Sequence, residues 1–348
     1  MYYLKIYDKD HTLLDEIHEF SELKYTKTLN GVGSCTFKVP MNSEKCTELN
    51  FMWLNHVEVY KNNVLLWGGV IVQRSFSDSL DVGCYGYSFL LKGRRCREKD
   101  YPRRTYGELL KLMLDDANNI YDTGIRIGNI DPNSLKTQRK VDNSDNFLDK
   151  MTEYVNDCNY YFEVDDNRKL NFYTQINTSD YFKLQYGYKE GDNVVSKPSF
   201  SQSAVDMINR VYSESDTEVE GEENSNTITS EFQDDYSIGL FGLFEGTYSA
   251  NNGISIQNTL DNYVIGELNR RCYPLNSVSL EVINSSLCDM SKLKIGHIVE
   301  VELKPFFNFK DNLRVIEITH NTENETYNLT VGETIFRPAK PTVKYYSK

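Results

Sequence analysis

Apolar and polar positions alternate through the first 93 residues. The segments YYLKIYD, SCTFKVP, HVEVY, LLWGGVIVQRSF and LDVGCYGY put every second side chain on one face, and turn signals such as LNGVG and KNN separate them, the pattern of half-buried strands. The period changes after KGRRCREKDYPRR. There TYGELLKLMLDDANNIY places Leu109, Leu112, Met113, Ala117 and Ile120 on one helical face, with Thr105 and Glu108 spaced as a capping box. A second helix is predicted in NSDNFLDKMTEYVNDCN, where Phe147, Met151, Tyr154, Val155 and Cys158 share a face. The stretch YYFEVDDNRKLNFYT then reads as a hairpin turning at Asp165 to Arg168. Strand returns over 183–214. A third helix is predicted in NTLDNYVIGELNRRC, capped by Asn258 or Thr259, buried through Leu260, Val264 and Leu268, and stopped by Pro274. From SVSLEVI to YNLTVGE the chain is again all strand.

The last stretch repeats the first. Residues 55–86 and 296–333 both run through a histidine, a V-E-V element, a turn, a long strand, a polar tip and a return strand. The long strand holds Val70 and Val72 in one copy and Ile316 and Ile318 in the other, and the return strands close on Gly86 and Gly332. His56, Val57, Glu58 and Val59 line up by letter with His297, Val299, Glu300 and Val301. The reading is an α+β, multidomain chain in which two related antiparallel β-barrel domains are interspersed with helix-containing α+β modules. Its expected parts are a first β-barrel at 1–93, an α+β domain at 94–182, a second β-barrel at 183–214 and 275–337, an inserted α+β module at 215–274, and a tail at 338–348. Three such chains would carry six similar barrels around one axis, which is how a threefold component meets a sixfold partner.

Composition narrows the class. Hydrophobic residues at 39% and aromatics at 13% put the chain among ordered proteins. With 51 acidic against 38 basic residues the net charge is -13, which speaks against a general nucleic-acid binder. The start lacks a secretory pattern and no apolar run approaches a membrane span, so a soluble chain made in a bacterial cytoplasm is expected. Seven scattered cysteines (Cys35, Cys46, Cys84, Cys96, Cys158, Cys272 and Cys288), without a C-x-x-C pair, read as reduced core thiols. The five histidines, His11, His18, His56, His297 and His320, show no i, i+4 pair, so neither metal nor cofactor is expected. The acidic run over 214–226 reads as a solvated loop.

Motifs of catalysis are missing from the sequence: no G-x-S-x-G, P-loop, H-E-x-x-H or G-x-G-x-x-G. The neighbouring carboxylates Asp115 with Asp116, Asp165 with Asp166, and Asp234 with Asp235 read as a helix face and turns, and no catalytic residue is assigned. His56 and His297 read as structural. One basic cluster stands out: Lys92, Arg94, Arg95, Arg97, Lys99, Arg103 and Arg104. It fits contact with an acidic neighbour or subunit, which the overall charge favours, or a channel lining.

Ordered pieces along nearly the whole chain carry a resemblance. They are LNGVGSCTFKVP, VEVYKNNVLLWGGVI, TYGELLKLML, NFLDKMTEYVNDCNYYFEV, AVDMINRVYSES, QDDYSIGLFG, LNRRCYPLNSVSLEV, KIGHIVEVEL and LRVIEITHNTENETYNLTVGE. Their order and spacing resemble the tailed-phage baseplate hub, or tail tip protein. This group includes the contractile-tail hub, the N-terminal hub region of tail-associated lysins, and the "Gp37-like" siphophage proteins. The resemblance implies a homotrimer at the distal end of the phage tail in the virion. Its barrels would form a pseudo-sixfold ring beneath the distal tail protein, and its α+β modules would close the channel. Tape measure protein and a tail fibre, spike or receptor-binding protein are the implied partners, with DNA passing only transiently. Host attachment and genome ejection are the implied roles. Ring contacts are expected around Val57, Val59, Tyr60, Ile298, Val299 and Val301, and partner or channel contacts at Arg94, Arg95, Arg97, Arg103 and Arg104. The acidic run departs from the family, and the chain stops soon after the second barrel, leaving no room for a lysin extension; no enzyme activity is expected. Two alternatives remain: a cell-wall binding or peptidoglycan-degrading tail protein, and the distal tail protein itself.

Overall fold

The first 93 residues hold the five expected strands and two more, the second and third in this order: β1 (Tyr2–Tyr7), β2 (Leu13–Ile17), β3 (Ser21–Thr28), β4 (Ser34–Pro40), β5 (His56–Lys61), β6 (Val64–Phe76) and β7 (Ser79–Gly86). Next come α1 (Phe89–Lys92), β8 (Lys99–Thr105), α2 (Tyr106–Ile120), β9 (Arg126–Ile130), β10 (Lys136–Val141), α3 (Phe147–Cys158), β11 (Tyr161–Val164) and β12 (Lys169–Tyr173). They are followed by β13 (Lys183–Tyr186), β14 (Ser199–Ser203), β15 (Arg210–Thr217), β16 (Asn226–Asp234), α4 (Asp235–Phe241), β17 (Glu245–Thr247) and α5 (Gln257–Arg271). The chain closes with β18 (Leu275–Ile283), β19 (Ile298–Leu303), β20 (Phe309–Asn321), β21 (Thr326–Thr334) and β22 (Pro341–Val343). The computed structural model describes residues 1–97, 99–131, 136–141, 145–158, 160–173, 180–188, 190–217, 226–249, 257–334 and 341–343. Most of the acidic run, most of the 338–348 tail and the side chains of Arg103 and Cys158 lie outside the described residues.

Each half of the β structure has its own core. In the first, Leu4, Ile6, Phe37, Val57, Val59, Trp67 and Ile71 pack together; in the second, Val278, Leu280, Val299, Val301, Leu313, Val315 and Val331 do so. Each fully buried aliphatic of this kind contributes about 1.5–3 kcal/mol relative to exposure.

The repeat is visible as topology. β4, β7, β6 and β5 are hydrogen-bonded in that order, and so are β18, β21, β20 and β19. Even an irregularity recurs: the β6–β7 register shifts between Ile71 and Gln73, and the β20–β21 register shifts between Val315 and Glu317. The outermost strand differs, because β1 joins β5 antiparallel whereas β13 joins β19 parallel.

Two separate closed barrels were the expectation, and the described strands form none. They lie instead in one 13-stranded sheet whose main path runs from β14 to β2. The second half runs β14, β18, β21, β20, β19, β13, and its two end strands do not meet: among the described strands β14 pairs only with β18 and β13 only with β19. The long β20 is shared instead, its Phe309–Arg314 part pairing with β19 and Glu317–Asn321 with β3 of the first half, which joins the halves into one sheet. The strand β15 lies wholly outside this sheet, in a four-stranded sheet ordered β17, β15, β16, β22.

The helical modules are excursions from the sheet. Helices α2 and α3 bury Leu109, Leu110, Met113, Phe147, Met151 and Tyr154 against Phe162 and Phe172 of the β11–β12 hairpin. Ile120, expected on the buried face, is 52% exposed because the helix outruns the layer it packs on by a turn. Helix α5 covers β15 and β16 through Val264 and Leu268, beside Val211 and Phe232. It begins at Gln257, ahead of the cap expected at Asn258 or Thr259.

Thr105 caps α2 as the sequence pattern requires: its hydroxyl accepts from the Glu108 N–H at 3.2 Å, and the Glu108 carboxylate accepts from the Thr105 N–H at 3.0 Å. Thr105→Ala removes both orientation and acceptor. Denaturant unfolding is expected to show a loss of about 1 kcal/mol with an unchanged slope.

Candidate functional site

The strands that join the two halves carry the most concentrated polar chemistry of the β structure. On β20, His320 is 2% exposed and faces Tyr25 on β3, with the imidazole Nδ1 2.8 Å from the Tyr25 hydroxyl. Tyr327 stacks on the same ring at 4.2 Å. The other nitrogen, Nε2, lies 3.3 Å from a carboxylate oxygen of Glu325. That carboxylate also accepts from the Tyr2 hydroxyl at 3.0 Å and from the Lys61 ammonium at 2.8 Å. Burial lowers the His320 pKa against the pull of Glu325, so the ring is held neutral. One position along, the hydroxyls of Thr26 and Thr319 meet at 2.8 Å.

A third component docks on this seam, the β11–β12 hairpin. Asn30, held at φ 55°, exchanges two hydrogen bonds with Phe162: its side-chain oxygen accepts from the Phe162 N–H at 2.8 Å, and its own N–H donates to the Phe162 carbonyl at 3.2 Å. At the hairpin tip the Asp166 carboxylate pairs with Lys27 of β3 and accepts from the Gly68 N–H at 3.2 Å. Gly68 is required there, since a Cβ would stand 2.6 Å from the Tyr87 ring. Between hairpin and seam lies a cleft of about 880 Å³ lined by Tyr2, Lys61, Glu163, Asp165, Lys294 and Tyr327 among others. Burial pushes the Glu163 carboxyl up to about 7; Asp166 and Asp165 add to the effect and Lys27 opposes it.

The predicted site residues fall in different settings within the chain. Val57, Val59, Val299 and Val301 are fully buried in the chain's own cores, on strands flanked on both sides, so their side chains are spent within one chain. Tyr60 and Ile298 are part-exposed, and the Tyr60 hydroxyl donates to Glu58 at 2.7 Å. The paired histidines are out of step. Gly296 N–H and His297 carbonyl bond Val315, as Leu54 N–H and Asn55 carbonyl bond Ile71. The structural counterpart of His297 is therefore Asn55, and that of His56 is Ile298. The basic cluster is divided too. Arg94 turns inward to cap α2, donating to the Ala117 carbonyl at 2.5 Å, and Lys99 pairs with Asp116 at 2.9 Å. Arg95, Arg97 and Arg104 remain exposed. Among the described residues no cluster of three or more His, Cys, Asp or Glu could hold a metal ion, and no helix is long and apolar enough to cross a membrane.

Two β halves of one topology, fused edge to edge and interrupted by helical modules, make a fold that this chain shares with phage tail proteins of known structure. A prophage tail protein gp18 from Listeria monocytogenes superposes with a TM-score of 0.66 at 16% identity, covering 95% of this chain and 94% of that one. A tail protein from Neisseria meningitidis gives 0.70 at 10% identity, covering 97% and 98%. The Escherichia coli c3393 protein, a type VI secretion component described as similar to T4 tail proteins gp27 and gp5, gives 0.54 at 12% identity, covering 98% and 79%. No curated protein matches the chain. The chain belongs to the YQBQ-like family, which it matches over residues 23–332.

Glu163 supplies a test of the docked hairpin. A carboxyl whose folded pKa is raised binds its proton more tightly in the native state, so its stabilising contribution is complete below the unfolded value near 4.5 and is lost as pH rises through about 7. His56, lowered to about 4 mainly by burial, acts in the opposite sense over part of that range. The difference between Glu163→Gln and the parent isolates the carboxyl. The melting temperature of the variant is expected to gain on the parent progressively from pH 4.5 to 7, and a constant difference would place Glu163 in water.

Proposed function

We propose that the chain is the trimeric baseplate hub at the tip of a phage tail. In this reading it joins the tail tube, through the distal tail protein, to the receptor-binding apparatus. It also closes the DNA channel until infection, with the α+β modules as the moving parts. The observation that carries the reading is the duplicated β half. One chain holds two copies of the same strand path with the same register irregularity, so a trimer offers six equivalent docking positions to a sixfold tail partner. The likeness to phage tail proteins over nearly the full chain supports the setting in a virion. Distal tail protein, tape measure protein and a fibre, spike or receptor-binding protein are the proposed partners, with DNA a passing one. The chain is proposed to act by assembly without catalysis.

Native mass spectrometry of the purified chain is expected to give three protomers, and addition of the cognate distal tail protein a complex of three chains with six. A hexamer of the chain alone would favour the distal tail protein. A monomer that releases fragments from purified peptidoglycan would favour the cell-wall enzyme.

A further inference from the structure

The seam inside the chain describes a second seam that the chain leaves open. Strand by strand, β14 stands to β18 as β3 stands to β4. Tyr25 faces Cys35 and Phe200 faces Val278; Thr26 faces Ser34 and Ser201 faces Ser277. β3 then gives its outer edge, residues Lys24–Thr28, to Glu317–Asn321 of β20. The outer edge of β14 has no strand partner among the described residues. The counterpart of β20 in the first half is β6, and the shared irregularity fixes the correspondence: Ile71 and Gln73 match Val315 and Glu317. Residues 73–77 of the first half therefore match Glu317–Asn321. β5 covers β6 only as far as Val70, and beyond it this edge too has no strand partner among the described residues.

We infer that β14 of one chain pairs with the far end of β6 of a second copy, in the register of the internal seam. The assignment rests on the trimeric reading above and names its interface. Transferring the β3–β20 register puts Phe200 opposite Phe76, Ser201 opposite Ser75, Gln202 opposite Arg74 and Ser203 opposite Gln73. The chemistry agrees at each step. Phe76 is 64% exposed in the single chain and would gain an aromatic partner where the internal seam has Tyr25 against His320. Ser201 and Ser75 stand where the hydroxyls of Thr26 and Thr319 meet. No like charges face each other. Nor is the β14 edge defended against pairing: SFSQS has neither a charge nor a proline, the usual devices that keep an exposed edge solitary. A second copy is the fitting occupant because both open edges belong to the same chain and reproduce a pairing it already makes. A head-to-tail contact of this kind closes into a ring when the rotation allows.

Cysteine pairing reads the register directly. A chain carrying Ser75→Cys and Ser201→Cys is expected to run as a covalent trimer after mild oxidation. An equal mixture of the two single variants should give covalent dimers and nothing larger. Combining Ser75→Cys with Gln202→Cys puts the thiols on opposite faces of the sheet, and no link should form. Phe76→Asp should shift the native mass from three protomers to one while the circular dichroism is unchanged. A parent chain of three protomers whose Ser75→Cys, Ser201→Cys form stays unlinked, or links no better than the Gln202→Cys control, would overturn the seam and leave the trimer standing. A parent chain that is monomeric at tens of micromolar would remove both.

Discussion

The antiparallel ladder between β3 and β20 is the contact on which the architecture rests. It joins residues 24–28 to residues 317–321, and everything between them in sequence has to fit inside that closure. A loop of such length adds little closure entropy beyond that of a shorter one, because the cost grows only with its logarithm. What the long separation does impose is a topology dominated by distant pairings, the kind that folds slowly. The helical modules comply by leaving and re-entering at the sheet. The first of them also grips the seam through its hairpin, by way of Lys27, Gly68 and Asp166.

The polar cluster at that ladder has to be satisfied internally, because the same joint that buries Tyr25 also buries His320. A neutral imidazole whose Nδ1 meets the Tyr25 hydroxyl and on which Tyr327 stacks fills the space without an uncompensated buried charge; its Nε2 lies 3.3 Å from Glu325 without a hydrogen bond of good geometry. Glu325 keeps its charge. Burial acts to raise its pKa, but hydrogen bonds from Lys61 and Tyr2 hold it below the usual value. Lys61 belongs to the first half and Glu325 to the second, so this pair ties the halves a second time at the surface.

Local signals in the sequence were reliable where the physics is local. The capping box at Thr105 and the buried row of Leu260, Val264 and Leu268 depend on neighbours within a turn or two, and both are present. Alternation located five of the seven strands of the first half and the strand runs of the second, but it did not single out β2 or β3. It could not say which strands are central, and on β5 that matters, because His56, Val57, Glu58 and Val59 are all buried and neither face looks outward. Matching by letter also misled. His297 aligns by identity with His56, yet the backbone pairs it with Asn55, because hydrogen-bond register follows the bulge and not the side chain. The internal seam left no trace in the pattern, since edge-to-edge pairing is chosen by which edges remain unpaired after each half has folded.

The register that letter matching missed also explains two backbone oddities. Leu54 sits at φ 63°, a left-handed conformation that costs a branched side chain energy, and its structural counterpart is Gly296 at φ 80°. Both donate their N–H to the long strand at the point where the β5 or β19 ladder begins. The left-handed turn is thus a property of the repeated architecture, and glycine is simply the easier residue to place in it. Leu54 is held there by two buried neighbours: Asn55 bonds the Leu49 and Asn50 carbonyls, and Asn50 bonds Asp15. A turn retained in both halves, at a conformational cost in one, argues that the position where β5 and β19 begin is fixed by the fold. That starting point determines how much of the edge of β6 or β20 is left uncovered. On β20 the uncovered length is filled by β3 of the same chain; on β6 it extends from Gln73 to Phe76 and ends beside Trp53, which stacks against Arg74 at 4.2 Å. One architecture, used twice, therefore leaves the same length of edge uncovered in both halves, and within the chain only that of β20 is paired, by β3.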